Sequence, residues 1–369
     1  MAPMPTSAAR PPGFDIAPGV TAAIRSFTAP AQLGFGGVAA PVMYSVEWRD
    51  GHWGRGLLLP YGPIELWPGS RALHYAELVF EGMKAYRINQ SRPNLFRPLD
   101  NWRRLSQSAQ RLSMPEVPET LFLESLDAVA GALADLVPAK SGEALYLRPF
   151  LFGTESGYLV RNSTSFRYMV IANPVEAYAA GPLRVAIERH EVRAAAGGVG
   201  AAKAAANYAP SLRAASSAAA RGYGVTLWLD AHEHRYLQEL SGMNIFAVID
   251  GELHTPLLDG AILPGITRDS LIQLAPGLGL RVHQRLIALD ELLAQIASGA
   301  CSELFACGTG AIVATISVLA DHDGTEHVPA PRTASVAARL RETLLAIQER
   351  RAADPFGWVR EVPVLRLAQ

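Results

Sequence analysis

Lys203 is the residue whose type and surroundings point most directly to chemistry. The chain has 33 basic residues, and only Lys84, Lys140 and Lys203 are lysine. Where any positive charge would serve, this chain uses arginine, so a lysine can mark a place that needs an amine able to lose its proton. Lys203 lies in GGVGAAKAAANYAP, where small neighbours leave room for a bulky group. Lys140 is predicted to lie in an exposed loop, and Lys84 on a helix face with a structural role.

Three other segments could bind an anion or carry a buried charge, although each has an ordinary explanation when taken alone. PGITRDS begins a predicted helix, where free N–H groups favour a phosphate, or it is a helix start capped by Thr267 or Asp269. FACGTGAIV has a glycine on each side of Thr309, so its amides could approach an oxyanion, or it is a simple glycine turn. Glu239 alternates with Leu237 on a predicted strand. It is either exposed or faces inward, where it would need a cationic partner.

The glycine-rich stretch before Lys203 does not match a nucleotide-binding loop. A P-loop needs Gly directly before the lysine and Ser or Thr after it, and these positions are Ala202 and Ala204. The dinucleotide-binding fingerprint needs Gly or Ala where Lys203 stands, and the stretch from Gly308 onward breaks the same pattern. The parts do fit a pyridoxal phosphate site, which needs a Schiff-base lysine, a phosphate cup and an acid opposite the ring nitrogen.

Length and composition exclude several other classes of protein. The 369 residues, 49% of them hydrophobic and 18% charged, predict about two domains with sizeable cores. A net charge of −1 argues against a nucleic-acid-binding surface, and no apolar run reaches the ~18–20 residues of a membrane span. Cys301 and Cys307 cannot build a disulfide framework, and no Cys/His spacing indicates a metal. We therefore expect a cytoplasmic globular protein with no metal, nucleic-acid or membrane partner.

The elements that must position these residues are a mixture of hairpins and helices, which predicts an α+β or mixed α/β fold. Residues 1–40 are expected to form a loose leader and residues 41–173 a smaller α/β domain. Residues 174–182 have the composition of a connection between domains, and residues 183–369 are expected to form a larger domain.

Local patterns predict individual elements within these domains. Asp50-Gly51 and Asp250-Gly251, each flanked by apolar alternation, predict the tips of two hairpins. The apolar spacing in NWRRLSQSAQRL predicts a helix with Asp100 as its N-cap. HYAELVFEGMKAY is also predicted to be helical, whereas ALYLRPFLFG and FRYMVIANPV are predicted to be strands.

Seven segments, in order and at fitting spacing, resemble the branched-chain aminotransferases. They are HYAELVFEGMKAYR, LFRPLDNWRRLSQSAQRLSMP, LYLRPFLFGTE, GAAKAAANYAPSL, ELSGMNIFAV, LPGITRDSL and ELFACGTGA. The resemblance runs from about residue 40 to the C-terminal helix. It implies the two-domain, D-amino-acid-aminotransferase-like architecture of fold-type IV enzymes, with pyridoxal 5′-phosphate held at the domain interface chiefly by the larger domain. It also implies a homodimer.

The resemblance further implies a role for individual residues. Lys203 matches the lysine that forms a Schiff base with the cofactor and moves the substrate proton. Tyr208 matches the tyrosine at the cofactor's phenolic oxygen, and Glu239 the glutamate at its ring nitrogen. The residues that match the phosphate site are Arg104, Ile266, Thr267 and Thr309. Those that match the substrate pocket are Tyr75, Phe80, Tyr146, Arg148 and Tyr178, with the amides near Gly310 and Ala311 facing the substrate carboxylate.

The implied reaction is transamination between L-leucine, L-isoleucine or L-valine and 2-oxoglutarate, giving a branched 2-oxo acid and L-glutamate. Two departures leave open a specialised aminotransferase for another apolar or aromatic amino acid. Ala205-Ala206 stands where the family commonly has two glycines, and Gly310 where alanine is usual. A D-amino-acid transaminase or a chorismate-derived lyase fits the segments less well. The alternative from a different class is a catalytically silent binding protein that kept the fold.

Overall fold

Two β-sheets with helices packed against them make up the protein. The computed structural model describes residues 13–178, 181–330, 335–365 and 367. It confirms the predicted mixed α/β fold. The first twelve residues of the predicted leader, and residues 179–180 of the predicted connection, lie outside the described residues.

The strands belong to a ten-stranded first sheet and a nine-stranded second sheet. In chain order the strands of the first sheet that precede the second are β1 (Phe14–Ile16), β2 (Val42–Arg49), β3 (His52–Trp53), β4 (Gly56–Pro60), β5 (Leu78–Phe80), β6 (Met83–Tyr86), β7 (Asn94–Phe96), β8 (Ala144–Gly153) and β9 (Ser165–Val175). Those of the second sheet are β10 (Leu183–Glu188), β11 (Val225–Leu229), β12 (Leu237–Leu240), β13 (Asn244–Ile249), β14 (Glu252–Pro256), β15 (Val282–Arg285), β16 (Cys301–Gly308), β17 (Ile312–Ala320) and β18 (Glu326–His327). The last strand, β19 (Val359–Glu361), returns to the first sheet.

Eight α-helices connect and cover these strands. They are α1 (Val20–Ser26), α2 (Arg71–Tyr75), α3 (Pro98–Arg111), α4 (Glu119–Ala132), α5 (Leu212–Ala220), α6 (Ile266–Leu274), α7 (Leu289–Ser298) and α8 (Val336–Gln348) within the described residues. Short 3-10 helices lie at Ala134–Leu136, Ala205–Asn207, Ala209–Ser211 and Ala275–Leu278. The longest helices, α3 and α4, have 14 residues, and none in the described part of the chain is long and apolar enough to cross a membrane.

Strand order brings distant segments together in both sheets. The first sheet runs β1-β4-β2-β9-β8-β6-β7-β19, with β3 on β2 and β5 on β8. The second runs β12-β11-β10-β17-β16-β13-β14-β15, with β18 on β17. The hairpins predicted at Asp50-Gly51 and Asp250-Gly251 are confirmed, and both residues of each tip have positive φ, as a tight hairpin turn requires.

The second sheet is covered by helices on both faces. Phe246 and Phe305 stack on one face with α6 and α8, while their neighbours Ile245 and Leu304 pack toward α7 on the other. Successive side chains of a strand point to opposite faces, so a strand covered on both sides must be apolar throughout. This explains why NIFAVI is buried at all six positions.

Two parts of the predicted domain division need correction. The segment expected to be a loose leader contains β1, which pairs with β4, and α1, whose Val20 is buried. At the other end of the chain, β19 pairs with β7, so the last described strand belongs to the first sheet and not to the larger domain. Both corrections arise from long-range strand pairing, which local composition does not encode.

The prediction that HYAELVFEGMKAY forms a helix is also wrong. Only Arg71–Tyr75 is helical, and the chain then forms β5 and β6. Strand β6 lies between β7 and β8, and all four of its residues are buried. Its ladder hydrogen bonds and its burial outweigh the helical spacing of the segment. Lys84 therefore lies on a central strand and not on a helix face.

The helix predicted over NWRRLSQSAQRL is confirmed as part of α3, but Asp100 is not its N-cap. The N-cap is Arg97, in a left-handed conformation, and its side chain accepts no capping hydrogen bond. Asp100 lies one turn further on and pairs with Arg97, their Nε and Oδ2 atoms 2.7 Å apart. An acidic residue in the first turn still favours the helix through the helix dipole.

Candidate active site

Lys203 is anchored by the first sheet, although it lies in the second half of the chain. Its backbone N–H donates to Ser108 Oγ on α3 (2.9 Å), and its carbonyl accepts from the N–H of Phe80 on β5 (3.0 Å). The side chain of Asn207 donates to the carbonyls of Val199 and Ala202 and so closes the turn that leads to the lysine. Lys203 Nζ lies 5.0 Å from the centre of the Phe80 ring.

A cavity of about 170 Å³, here called the polar cavity, opens at Lys203 between the two sheets. The residues for which a cofactor-binding role is expected all line it: Arg104, Lys203, Tyr208, Glu239, Ile266, Thr267 and Thr309. They come from α3, the lysine turn, β12, α6 and the turn between β16 and β17. Five separate elements thus bring basic, acidic and hydroxyl groups to one enclosed space.

A second cavity of about 760 Å³, here called the apolar cavity, lies on the other side of Lys203. Six of the seven residues expected to bind substrate line it: Phe80, Tyr146, Arg148, Tyr178, Gly310 and Ala311. Lys203, Tyr208 and Thr309 line both cavities. The amine of Lys203 therefore stands where a group held in the polar cavity would meet a molecule held in the apolar cavity.

Glu239 faces inward from β12 and has the cationic partner that such a position requires. Its side chain is almost fully buried; its Oε1 lies 2.8 Å from Arg193 Nη2, and its Oε2 accepts from Asn244 Nδ2 at 3.0 Å. Burial raises the pKa of the Glu239 carboxyl to about 7, against the opposing effect of Arg193. A carboxyl in this state can share a proton with a ring nitrogen that lies within hydrogen-bond distance of it.

The environment of Lys203 favours its neutral form. Burial, followed by the positive charge of Arg104, lowers the pKa of the Lys203 amine to about 8. The amine is still mostly protonated at neutral pH, but its unprotonated form, which a nucleophile or a general base requires, is far more populated than in a lysine exposed to water.

Arg104 lies at the wall of the polar cavity, and Glu81 holds it there. The Nε and Nη2 atoms of Arg104 donate to the two carboxylate oxygens of Glu81 at 2.7 and 2.8 Å, and Nη1 donates to the carbonyl of Pro264 at 3.1 Å. Glu81 is fully buried and also accepts from Asn101. These bonds use three of the five guanidinium N–H groups, which leaves two for a ligand.

The start of α6 offers backbone amides to the same cavity. Its N-cap is Gly265, which has no side chain to occupy the first N–H groups of the helix. A Cβ at this position would lie 2.0 Å from Asn244 Oδ1, so a larger residue would displace the Asn244 side chain from its hydrogen bonds with Glu239 and Leu263. The adjacent Thr309 hydroxyl donates to the carbonyl of Gly82 on the first sheet (3.1 Å), leaving its lone pairs toward the cavity.

Arg148 is the cation of the apolar cavity. Its guanidinium carbon lies 4.5 Å from the centre of the Phe80 ring, and its Nη2 donates to the Tyr146 hydroxyl at 3.0 Å. Among the described residues no carboxylate pairs with it, and its buried Nε has no hydrogen-bond partner. A half-buried cation without an acid beside it is suited to bind an anionic group of a ligand.

Tyr75 is the one predicted site residue that the structure does not bring to either cavity. It ends α2, is 41% exposed, and its hydroxyl donates to the carbonyl of Tyr158 at 2.6 Å. The helix that carries it lies at the surface beside Tyr158, Leu159 and Val160, which are themselves largely exposed. Tyr75 therefore lines neither cavity of its own chain, and its role in a substrate pocket stays a prediction.

Sequence reasoning missed several residues at the site. Phe35, in the predicted leader, lines the apolar cavity, and its ring centre lies 5.1 Å from that of Tyr146 in an edge-to-face arrangement. Arg193 and Met243 line the polar cavity, and Arg193 supplies the partner of Glu239. The only signal for Arg193 was the requirement that an inward Glu239 have a cationic partner. Nothing in the local sequence pointed to Phe35.

A cluster outside both cavities could hold a metal ion by type and distance. Glu252, His254 and His283 offer ligand atoms within 4.8 Å of one another on β14 and β15. Arg281 pairs with Glu252 at 3.2 Å, and Arg285 donates to His254 Nδ1 at 3.1 Å. Two guanidinium groups bound to the ligand residues oppose a cation at this place.

Comparison with known proteins finds aminotransferases among the proteins that this chain is similar to. The family model described as amino-transferase class IV matches residues 78–319. A branched-chain-amino-acid aminotransferase of Mycolicibacterium smegmatis is 43% identical over 338 residues, covering 89% of this chain and 92% of the relative. Branched-chain-amino-acid transaminase 1 of Bacillus subtilis is 41% identical over 338 residues, covering 90% and 95%.

Solved structures are similar over most of the chain. The branched-chain amino acid aminotransferase of Escherichia coli superimposes with a TM-score of 0.70 at 28% identity, covering 86% of this chain and 99% of that one. The T.th. branched-chain amino acid aminotransferase, solved in complex with N-(5′-phosphopyridoxyl)-L-glutamate, has a TM-score of 0.68 at 29% identity, covering 86% and 98%.

Proposed function

The chain belongs to the class IV aminotransferase family, and from that membership we propose that it is a branched-chain-amino-acid aminotransferase dependent on pyridoxal 5′-phosphate. The fold-type IV architecture expected from the sequence is that of its structural neighbours. The observation that carries the proposal is the meeting of the polar and apolar cavities at Lys203. The substrates proposed are L-leucine, L-isoleucine and L-valine as amino donors and 2-oxoglutarate as acceptor.

The residues of the polar cavity fit the chemistry of pyridoxal phosphate. The free N–H groups of Arg104 and of the α6 start, with Thr267, would hold the phosphate. Tyr208 would contact the phenolic oxygen, and Glu239, kept in place by Arg193, the ring nitrogen. When bound, the cofactor supplies a sink for the electrons left behind when the Cα–H bond of an amino acid breaks.

The chain's own residues then bind the substrate and move a proton. Lys203 Nζ, whose lowered pKa of about 8 makes its unprotonated form accessible at neutral pH, takes the proton from the substrate Cα and later donates it to the cofactor. The amides near Gly310 and Ala311 bind the α-carboxylate, because both residues line the apolar cavity next to Lys203. The rings of Phe35, Phe80 and Tyr146 line the apolar cavity and provide the surface against which the aliphatic side chain of the substrate packs.

The quaternary structure and location are parts of the same proposal. We propose a homodimer because the surface around Tyr75, Tyr158, Leu159 and Val160 exposes large apolar side chains that a second copy would cover. Tyr75 would then face the site from the partner copy. That the enzyme is cytoplasmic remains a prediction from the sequence.

The experiment that tests the proposed function is a titration of the purified, cofactor-loaded protein with single amino acids, followed by visible absorption. We expect leucine, isoleucine, valine and glutamate each to remove the absorption of the lysine-bound cofactor. Loss of the band only with some other amino acid would identify a specialised aminotransferase. A band that no amino acid removes would identify a silent relative and overturn the proposal.

Arg148→Leu should impair glutamate far more than leucine. The free guanidinium is proposed to bind the second carboxylate of glutamate, a group that leucine lacks, and a charge-assisted hydrogen bond of this kind is worth about 10- to 100-fold in affinity. We expect kcat/KM to fall by about that factor for glutamate and by less than about fivefold for leucine. Arg213→Leu, at an exposed arginine, is the matched control. Equal losses for the two substrates would reject this role of Arg148.

A further inference from the structure

Lys84 is a buried lysine that the proposed mechanism does not use. It lies on β6 in the first sheet, its side chain is 3% exposed, and its Nζ donates to the carbonyl of Gly310 at 2.8 Å. Within the described part of the chain no carboxylate pairs with it. Lysine is rarely buried without an acidic partner, because removing its charge from water is costly. Such a group calls for an explanation beyond packing.

The bond from Lys84 fixes the orientation of one peptide group. In a trans peptide the N–H points away from the C=O, so the Ala311 N–H points away from Lys84. Ala311 is buried and lines the apolar cavity. Among the described residues, no backbone carbonyl accepts a hydrogen bond from the Ala311 N–H. A buried amide without a protein acceptor is suited to bind an acceptor on a ligand.

The turn that contains this peptide does not have a relaxed backbone. Ile312, which follows Ala311, has φ = 64°, a left-handed conformation that a β-branched residue rarely adopts. Such a conformation persists only where the surrounding contacts hold it. Two of those contacts come from β6 and the residue before it: Lys84 to the Gly310 carbonyl, and the Gly82 carbonyl accepting from Thr309. Residues of the first sheet thus stabilise the turn between β16 and β17 of the second sheet through these two hydrogen bonds.

We propose that Lys84 is a positioning residue for the α-carboxylate of the substrate. It aims the Gly310–Ala311 peptide N–H into the apolar cavity, and its ammonium, behind that peptide, favours a negative charge on the cavity side. This inference rests on the proposed function, because it takes the ligand of the apolar cavity to be a carboxylate. Lys84 lines neither the polar nor the apolar cavity. We nevertheless attribute to it the preference of the Gly310–Ala311 turn for an anionic over a neutral ligand.

The charge of Lys84 is available at neutral pH. Burial, and to a lesser extent the charge of Arg341, lowers the pKa of the Lys84 ammonium to about 8. Below that pH the group is mostly protonated, and a carboxylate in the cavity would stabilise the protonated form further. The hydrogen bond to the Gly310 carbonyl is then charge-assisted, which strengthens the dipole that the peptide presents to the ligand.

The test compares two probes of nearly the same shape on the cofactor-loaded protein, the anionic 4-methylpentanoate and the neutral 4-methylpentanamide. Neither has an amino group, so binding is measured without turnover, by calorimetry. Wild type should bind the acid more tightly than the amide. In Lys84→Met the dissociation constant of the acid should rise about 10- to 100-fold while that of the amide changes less than about threefold. Lys84→Arg should restore most of the preference, and Lys140→Met at an exposed lysine is the control.

Thermal unfolding separates this role from a structural one. Met has a volume and shape similar to Lys, and removing a buried charge offsets the lost hydrogen bond to the Gly310 carbonyl, so Lys84→Met should change the melting temperature only slightly. A large fall in melting temperature with equal losses for acid and amide would overturn the inference. The inference would also be overturned if wild type turns over leucine but Lys84→Met still binds 4-methylpentanoate more tightly than 4-methylpentanamide. A wild type that neither turns over amino acids nor binds the acid overturns the proposed function and this inference with it.

Discussion

Lys203→Ala is expected to lower the turnover of leucine by about ten-thousand-fold or more. The amine of Lys203 is proposed both to bind the cofactor covalently and to move the substrate proton, and loss of a general base alone commonly costs about 10²–10⁴-fold. Among the described residues that line the two cavities Lys203 is the one lysine, and the guanidinium groups of the arginines there have no acceptor nitrogen with which to take up the substrate proton. Steady-state rates and a visible spectrum without the absorption of lysine-bound cofactor would together establish the loss.

The control for this variant must show that the fold is intact. Lys203 is held through its backbone by Ser108 and Phe80, and these bonds do not depend on the side chain. Circular dichroism and the elution volume of Lys203→Ala should therefore match those of wild type. Lys140→Ala, at an exposed lysine, should keep full activity. Appreciable multiple turnover by Lys203→Ala would contradict the assignment of Lys203 as the residue that binds the cofactor and moves the substrate proton.

Glu239→Gln is expected to slow the half-reaction with leucine by about 100- to 1,000-fold, the cost typical of removing one preorganised electrostatic contact. The Glu239 carboxylate is proposed to keep the ring nitrogen of the cofactor protonated, and a glutamine can donate or accept a hydrogen bond but cannot balance that charge. The amide fits the same space and keeps an oxygen for Arg193. Single-turnover kinetics with leucine measure the rate of the half-reaction, and the dissociation constant of the cofactor measures its retention.

Retention of the cofactor should fall much less than the rate in Glu239→Gln. The phosphate side of the polar cavity, formed by Arg104 and the start of α6, is unchanged by the substitution. Glu233→Gln, on an exposed turn, makes the same chemical change away from the site and should have no effect. Half-reaction rates equal to those of wild type would contradict the proposed role of Glu239.

Much of the site could be predicted because its residues lie in segments with strong local signals. Lys203 stands out in a chain that otherwise uses arginine, and the start of α6 follows a Pro-Gly pair. The inward position of Glu239 was one of two open alternatives, and the Arg193 contact decides between them. Hairpins with Asp-Gly tips and the long strands β8 and β9 follow from turn chemistry and apolar runs.

The remainder depends on contacts between residues far apart in sequence. The segment around Lys84 has helical spacing, yet it forms β6 because β7 and β8 pair with both of its edges. Phe35 reaches the apolar cavity because the segment after α1 runs beside the end of β9, where Ala40 donates to the Ala172 carbonyl, and so brings the Phe35 ring to Tyr146. Tyr75 matches a substrate-pocket position of the family that the sequence resembles but lies at the surface of its own chain. None of these placements is set by local propensity.

The apolar cavity is closed by residues from the two ends of the chain, and this sets an order of events during synthesis. Phe35 leaves the ribosome early, whereas Gly310, which lies against the Phe35 ring, is made late. At about 5–20 residues per second, Phe35 waits more than about ten seconds for that contact. During this time Tyr146 of the first sheet can already pack against the Phe35 ring, but the side of the ring that meets Gly310 has no partner from the second sheet. The binding pocket is consequently among the last parts of the molecule to be completed, after the first sheet has most of its strands.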